Sequence, residues 1–212
     1  GRIPMAHIHG GETTQGAIDE AFRHSMTKMS HLHFVSTDQY KNRVIQLGEN
    51  PERVFNVGAI GIENIHRLDL LPKEVLEKEI GFVFGDNTMM VTFHPVTLEN
   101  NTAAEQFEHL LKAFNSLGCF RVIFTKCNSD THGRIINNMI DAYVSKHNNS
   151  CISFTSMGQL KYLSSLKYVK AVVGNSSSGI IVAPSFRKPT INIGDRQKGR
   201  LIPETVINCG PN

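Results

Sequence analysis

The sequence has no tryptophan, only four cysteines in 212 residues, and no block of charge of one sign. Its longest apolar runs, such as Ile180 to Pro184, fall far short of the ~20 residues that a bilayer-crossing helix needs. No membrane partner is therefore expected, and the absence of a charged-then-apolar leader gives no sign of secretion. Cys119, Cys127, Cys151 and Cys209 are unevenly spaced without a C-x-x-C pair. That argues against structural zinc or a disulfide framework and for reduced thiols in a cytoplasmic location. The net charge of +3 comes from scattered Lys and Arg, with no basic stripe carrying interleaved aromatics. No nucleic-acid partner is expected, and a small anionic ligand would suit this balance.

What is present, 40% hydrophobic and 19% charged residues, is the make-up of an ordinary globular chain of one large or two modest domains. The chain opens on Gly1, in what reads as a strand-and-loop passage, which points to a fragment of a longer protein.

Strands alternate with helices throughout. Met5 to Ile8 reads as a strand end, and a helix follows in which Ile18, Ala21, Phe22, Ser25, Met26 and Met29 share one face. Leu32 to Ser36 reads as a strand, Thr37 as an N-cap, Tyr40 to Leu47 as a helix stopped by Gly48, and Arg53 to Val57 as a strand. Beyond a hinge at Gly58 to Pro72, strands are expected at Thr88 to Phe93, Arg121 to Thr125, Cys151 to Phe154, Tyr168 to Val173 and Thr190 to Ile193. Helices are expected at Ala103 to Leu117, Ile135 to His147, Gly158 to Leu166 and Ser178 to Ala183. Parallel strands need such crossover helices, so the pattern predicts an α/β fold of two Rossmann-like units with parallel sheets covered by helices, the first unit incomplete.

In such sheets ligands bind beyond the carboxyl ends of the strands. Gly174-Asn-Ser-Ser-Ser-Gly179 lies there, as either a phosphate cradle or an ordinary turn with a serine N-cap, and it matches neither the Walker nor the dinucleotide fingerprint. His94, fixed by Pro95, is either a diphosphate donor or a structural hydrogen-bond partner. Asn128 and Asp130 suit sugar or base edges, or simply a turn. Glu12, Asp19 and Glu20 gather carboxylates near a His-rich loop, a source of a general acid/base pair. The bland alternative is a set of helix-surface ion pairs, Asp19 with Arg23 and Glu20 with His24. The H-x-H spacings of His7, His9, His31 and His33 do not by themselves make a metal site, because no Cys-rich or carboxylate-rich set completes the ligands. Arg196, Lys198 and Arg200 offer either an anion site or a solvated basic loop.

Six blocks in order resemble the UDP-N-acetylglucosamine 2-epimerases, and specifically their hydrolysing branch. They are His7-Ile-His-Gly-Gly-Glu12, Gly16-Ala-Ile-Asp-Glu20, Arg23-His24 with Thr27-Lys28, His94-Pro-Val-Thr97, Gly174 to Gly179, and Gly194-Asp-Arg-Gln-Lys-Gly-Arg200. The resemblance implies a GT-B fold, with residues 1–65 the end of a first domain and 66–212 most of a second, UDP-binding one. It implies elimination of UDP from UDP-N-acetylglucosamine through a glycal, then addition of water to release N-acetylmannosamine inverted at C2, as at the start of sialic-acid synthesis. It implies no metal or redox cofactor and a homo-oligomer when the protein is complete. Carried over by position, Glu12, Asp19 and His94 are the catalytic residues. His9, Asn128, Asp130, Met157, Ser176, Ser177, Ser178, Gly179 and Arg196 are the substrate-binding set, with the backbone near Ser156 and Met157 facing the uracil.

Two positions depart from the pattern. His9 stands where relatives often have a carboxylate, leaving proton transfer open between His9 and Glu12. Val182 stands where a glutamate would grip the uridine ribose, and an apolar side chain cannot accept those hydrogen bonds. Two rivals therefore accompany this reading. One is a non-hydrolysing epimerase or another UDP-sugar enzyme of the same fold; the other is a non-catalytic nucleotide-binding paralogue.

Overall fold

The computed structural model describes residues 3–15, 19–96, 102–118, 120–127 and 133–211. Asn128, Asp130, Thr97 and Cys119 lie outside the described residues.

Two parallel sheets are flanked by helices. The first is short, β1 (Ala6–Ile8), β2 (Leu32–Val35) and β3 (Val54–Asn56), ordered β1-β2-β3. Helices α1 (Asp19–Met29) and α2 (Asp38–Gln46) make its crossovers. Thr37 caps α2 as expected, its hydroxyl accepting from Tyr40 N at 3.2 Å. Tyr40, Val44, Val35 and Val54 bury the small core between α2 and the sheet. Residues Pro51–Arg53 form a 3-10 turn, so β3 starts one residue later than the sequence suggests.

The apolar face of helix α1 is exposed, with Phe22 at 59%, Met26 at 45% and Met29 at 58%, while Thr27 is its buried residue. Polar anchors seat this helix instead. Thr27 Oγ1 lies 3.1 Å from His7 Nδ1, and Lys28 pairs with Glu49.

Helix α3 (Ile60–Arg67) and helix α4 (Lys73–Ile80), the latter not anticipated, lead into the second sheet. Its strands β4 (Thr88–Thr92), β5 (Arg121–Thr125), β6 (Cys151–Phe154), β7 (Ala171–Gly174), β8 (Thr190–Ile193) and β9 (Val206–Cys209) run in the order β6-β5-β4-β7-β8-β9, all parallel. Strand alternation supplies two cores. Val91, Val122, Phe124 and Val173 face helices α5 (Ala103–Leu117) and α6 (Gly133–Lys146). Met90, Ile123 and Val172 face α4 and helix α7 (Gly158–Tyr168).

Tyr168 belongs to α7 rather than to the next strand, where its ring packs at 5.7 Å on Phe84. The helix expected from Ser178 to Ala183 is α8 (Ser177–Ile181), broken into a 3-10 turn at Ala183–Phe186 that carries Pro184. Strand β9 escaped the sequence pattern because it is short and mostly exposed.

The sheet order changes direction between β4 and β7, each beginning a run outward in the opposite sense. A crevice opens at such a switch point beyond the strands' carboxyl ends, where residues 93–96 and 174–179 leave the sheet.

Candidate functional site

At the carboxyl end of β1 the chain turns through His9 (φ 62°) and Gly11 (φ 77°). Gly11 is pressed against the Tyr40 carbonyl, leaving no room for a side chain, and its own carbonyl accepts from Arg43 Nη1 at 2.5 Å. A non-glycine residue in the left-handed region is uncommon and is characteristic of functional loops. This turn sends Glu12 inward, where its side chain is 5% exposed.

Both Glu12 oxygens are engaged. Oε1 lies 2.8 Å from His9 Nδ1 and accepts from Ser36 Oγ at 3.4 Å; Oε2 accepts from Arg200 Nη1 at 2.6 Å. Burial pushes the Glu12 carboxyl pKa up, but the His9 hydrogen bond and the Arg200 charge outweigh it and hold the group below the usual carboxylate range. Burial, with the charges of His33 and Arg23 nearby, holds the His7 imidazole below its ordinary value.

The remaining expected carboxylates are placed differently. Asp19 is exposed in the first turn of α1, and among the described residues it makes no ion pair with Arg23. Arg23 donates to the Glu12 carbonyl at 3.2 Å and to Thr14 Oγ1 at 3.3 Å. Glu20 accepts from Thr14 N at 2.8 Å and lies 3.6 Å from His24, the ion pair anticipated there. Among the described residues no His, Cys, Asp and Glu side chains gather as a metal site.

At the switch point, buried Asn175 clasps the His94 backbone on both sides. His94 N donates to its Oδ1 and its Nδ2 donates to the His94 carbonyl, each at 2.7 Å. The Asn175 carbonyl accepts in turn from Gln197 Nε2 at 2.8 Å and Arg196 Nη1 at 3.2 Å. His94 and Arg196, chosen from sequence, are thus held through a residue not chosen. The Gly-Asn pair in the turn was its signal, because an amide offers a donor and an acceptor together.

Ser176 caps α8, and Ser178 Oγ lies 3.1 Å from Ser176 Oγ and 2.7 Å from Tyr162 OH. Gly179 serves packing: a Cβ there would meet Thr190 Cγ2 at 2.9 Å, and its carbonyl accepts from Thr190 Oγ1 at 2.8 Å. Met157 is buried in the core at the start of α7, while Ser156 Oγ accepts from Gly158 N at 3.3 Å. Val182 packs against the α4/α7 core.

The loop 194–201 joins the two groups. Beyond Arg196 and Gln197, Lys198 O accepts from Gln15 N at 3.0 Å, Gly199 O accepts from Thr13 Oγ1 at 2.5 Å, and Leu201 N donates to Tyr40 OH at 3.3 Å. Arg200, in the loop read as either an anion site or a solvated basic loop, has a side chain only 10% exposed, and its partner is the Glu12 carboxylate. A cavity of about 780 Å³ opens against Glu12 and Arg200, with Ile60, Ile180, Ile181 and Leu201 among its apolar walls. Among the described residues no helix is long and apolar enough to cross a membrane.

The family model for UDP-N-acetylglucosamine 2-epimerase matches residues 1–212. The chain is 45% identical over 210 residues to the GDP/UDP-N,N'-diacetylbacillosamine 2-epimerase (hydrolyzing) of Campylobacter jejuni, covering 99% of this chain and 55% of that protein. It is 43% identical over 207 residues to the polysialic acid biosynthesis protein P7 of Escherichia coli, covering 97% of this chain and 52% of that protein. The chain therefore spans about half the length of these relatives. The solved UDP-GlcNAc 2-epimerase of Methanocaldococcus jannaschii, in complex with UDP-GlcNAc and UDP, superposes with a TM-score of 0.74 at 18% identity, over 100% of this chain and 59% of that one. At that identity the likeness shows the shared fold. With its whole length matched by one family model, the chain belongs to the UDP-N-acetylglucosamine 2-epimerase family.

Proposed function

We propose that the intact protein is a hydrolysing UDP-N-acetylglucosamine 2-epimerase, which converts UDP-N-acetylglucosamine and water to N-acetylmannosamine and UDP. Residues 1–65 supply part of a first domain and residues 66–212 most of the UDP-binding domain. The observation that carries the reading is the placement of a buried carboxylate network, His9–Glu12–Arg200, and a second cluster, His94–Asn175–Arg196, at the two ends of one loop. Elimination of a diphosphate needs both: a base at sugar C2 and donors that neutralise charge as the C1–O bond breaks.

In this reading Glu12 and Asp19 flank the sugar as the acid/base pair. His94, Ser176, Ser177, Ser178, Gly179 and Arg196 hold the diphosphate and the nearby sugar, and Asn128 and Asp130 complete the substrate-binding set. The backbone at Met157 faces the uracil. No metal or redox cofactor takes part, and the working protein is a cytoplasmic homo-oligomer.

Incubating the intact protein with UDP-N-acetylglucosamine and following the sugar by NMR tests this. Free N-acetylmannosamine with UDP is expected. UDP-N-acetylmannosamine would mean the non-hydrolysing reaction, and no turnover would mean a non-catalytic binder.

A second reading concerns the sugar. The Campylobacter jejuni relative is named for N,N'-diacetylbacillosamine nucleotides. The apolar walls beside Glu12 suit a sugar carrying fewer hydroxyls and more acyl and methyl groups. Parallel assays with both nucleotide sugars discriminate the two by kcat/KM.

A further inference from the structure

Glu12 lines the cavity, but it is poorly suited to take the sugar's proton itself. Its side chain is 5% exposed, and both oxygens already accept hydrogen bonds, from His9 or Ser36 on one side and Arg200 on the other. A carboxylate so engaged is a weak base. His9 has the complementary properties: its side chain is 34% exposed, and among the described residues Glu12 is its ring's one hydrogen-bond partner, through Nδ1. The Nε2 nitrogen is left for a ligand.

The backbone of His9 adds an independent sign. It is held at φ 62°, a strained conformation for a residue with a Cβ, and its N–H is tied to the Phe34 carbonyl at 2.9 Å. The imidazole is thus fixed from both its main chain and its side chain. An imidazole oriented by a buried carboxylate, which is itself held by a further group, is the general design of a positioned base.

We propose that His9 is the catalytic base of the elimination step, and that Glu12 and Arg200 are positioning residues that hold its ring and tautomer. The inference rests on the epimerase reading above and refines it, because the Glu12 side of the acid/base pair acts through His9. Glu12 accepts a hydrogen bond from the Nδ1–H group of the neutral ring, which leaves the lone pair on Nε2. Nε2 takes the proton from sugar C2, the C–H electron pair becomes the C1=C2 double bond of the glycal, and the C1–O pair leaves with the nucleoside diphosphate. The imidazolium loses its proton to solvent before the next turnover. Water then adds across the double bond, its oxygen to C1, with C2 protonated on the opposite face by a different acid.

The test is chemical rescue in the intact protein. His9→Gly suits the left-handed backbone and opens a space for a free imidazole molecule. The expected result is a kcat lower by ~10²-fold or more with KM within a few-fold, and recovery of at least about tenfold with millimolar imidazole, which a structural role would not give. His9→Asn, which also tolerates this backbone and keeps a donor for Glu12, should be equally slow, and it serves if the glycine variant does not fold. Turnover unchanged in the variants, or a loss that imidazole fails to restore in folded His9→Gly, overturns the assignment while wild-type turnover still supports the epimerase reading. No turnover of either nucleotide sugar by the wild type overturns both.

Discussion

Arg200 Nη1 and Glu12 Oε2 meet at 2.6 Å across 188 residues of sequence, joining the loop after β8 to the loop after β1. With side chains 10% and 5% exposed, this is a buried pair, and its value lies in what either partner becomes alone. Arg200→Met should destabilise the protein by roughly 3–5 kcal/mol, because a buried carboxylate loses its cation. Arg200→Met combined with Glu12→Gln should recover part of that loss. Chemical denaturation of the four proteins of this cycle measures the coupling, and strictly additive losses would contradict it.

The same pair sets an acid dependence. The Glu12 pKa is lowered on folding, so the ionised network contributes stability that is fully present above the unfolded glutamate's value of 4.5 and is lost as pH falls through the lower folded value. Glu12→Gln should flatten the stability profile below about pH 4.5. Thermal melts of wild type and variant between neutral and acid pH follow this directly, and parallel profiles would count against it.

Turnover should be sensitive to both carboxylates of the proposed pair. Glu12→Gln and Asp19→Asn should each lower kcat by ~10²-fold or more with a modest effect on UDP binding. Steady-state assays alongside calorimetric UDP titration separate the two effects, and unaltered turnover in both variants removes the assignment.

Asn175→Ala strips partners from the His94 amide and carbonyl, each worth about 1–3 kcal/mol when left unpaired. UDP affinity should fall by about tenfold or more, since the His94 backbone is no longer held at the switch point. Calorimetric titration with UDP reads the loss, and an unchanged Kd would separate His94 from the nucleotide.

Val182→Glu tests the missing ribose contact against the packing observed. Val182 lies against the α4/α7 core, so a charge there should cost about 1–3 kcal/mol. A lowered Tm is expected, and a variant as stable as wild type with tighter UDP binding would show that the position is free to hold a ribose.

Much of the architecture was legible in the sequence because strand and helix periodicities are local. The Thr37 cap, the Ala103–Leu117 helix and the Arg121–Thr125 strand form where the pattern places them. The two turns that carry His9 and Asn175 were also visible, as glycine-rich breaks after strands. Helix α1 shows the limit of such a pattern: it tells which residues share a face, and not whether that face meets a core. Phe22, Met26 and Met29 share a face that is exposed.

The sequence by itself determined the α/β class and the residue types from which a site is built, since hydrophobic period, turn chemistry and motif spacing act over a few residues. Tertiary structure decided which of those residues work together. Asn175 became the clasp on His94, and Arg200 became the partner of a buried carboxylate, because hydrogen bonds and ion pairs depend on ångström distances between segments remote in the chain. The sheet order β6-β5-β4-β7-β8-β9 sets β4 beside β7, and hydrogen bonds such as that from Thr13 Oγ1 to the Gly199 carbonyl tie the loop after β8 to the loop after β1.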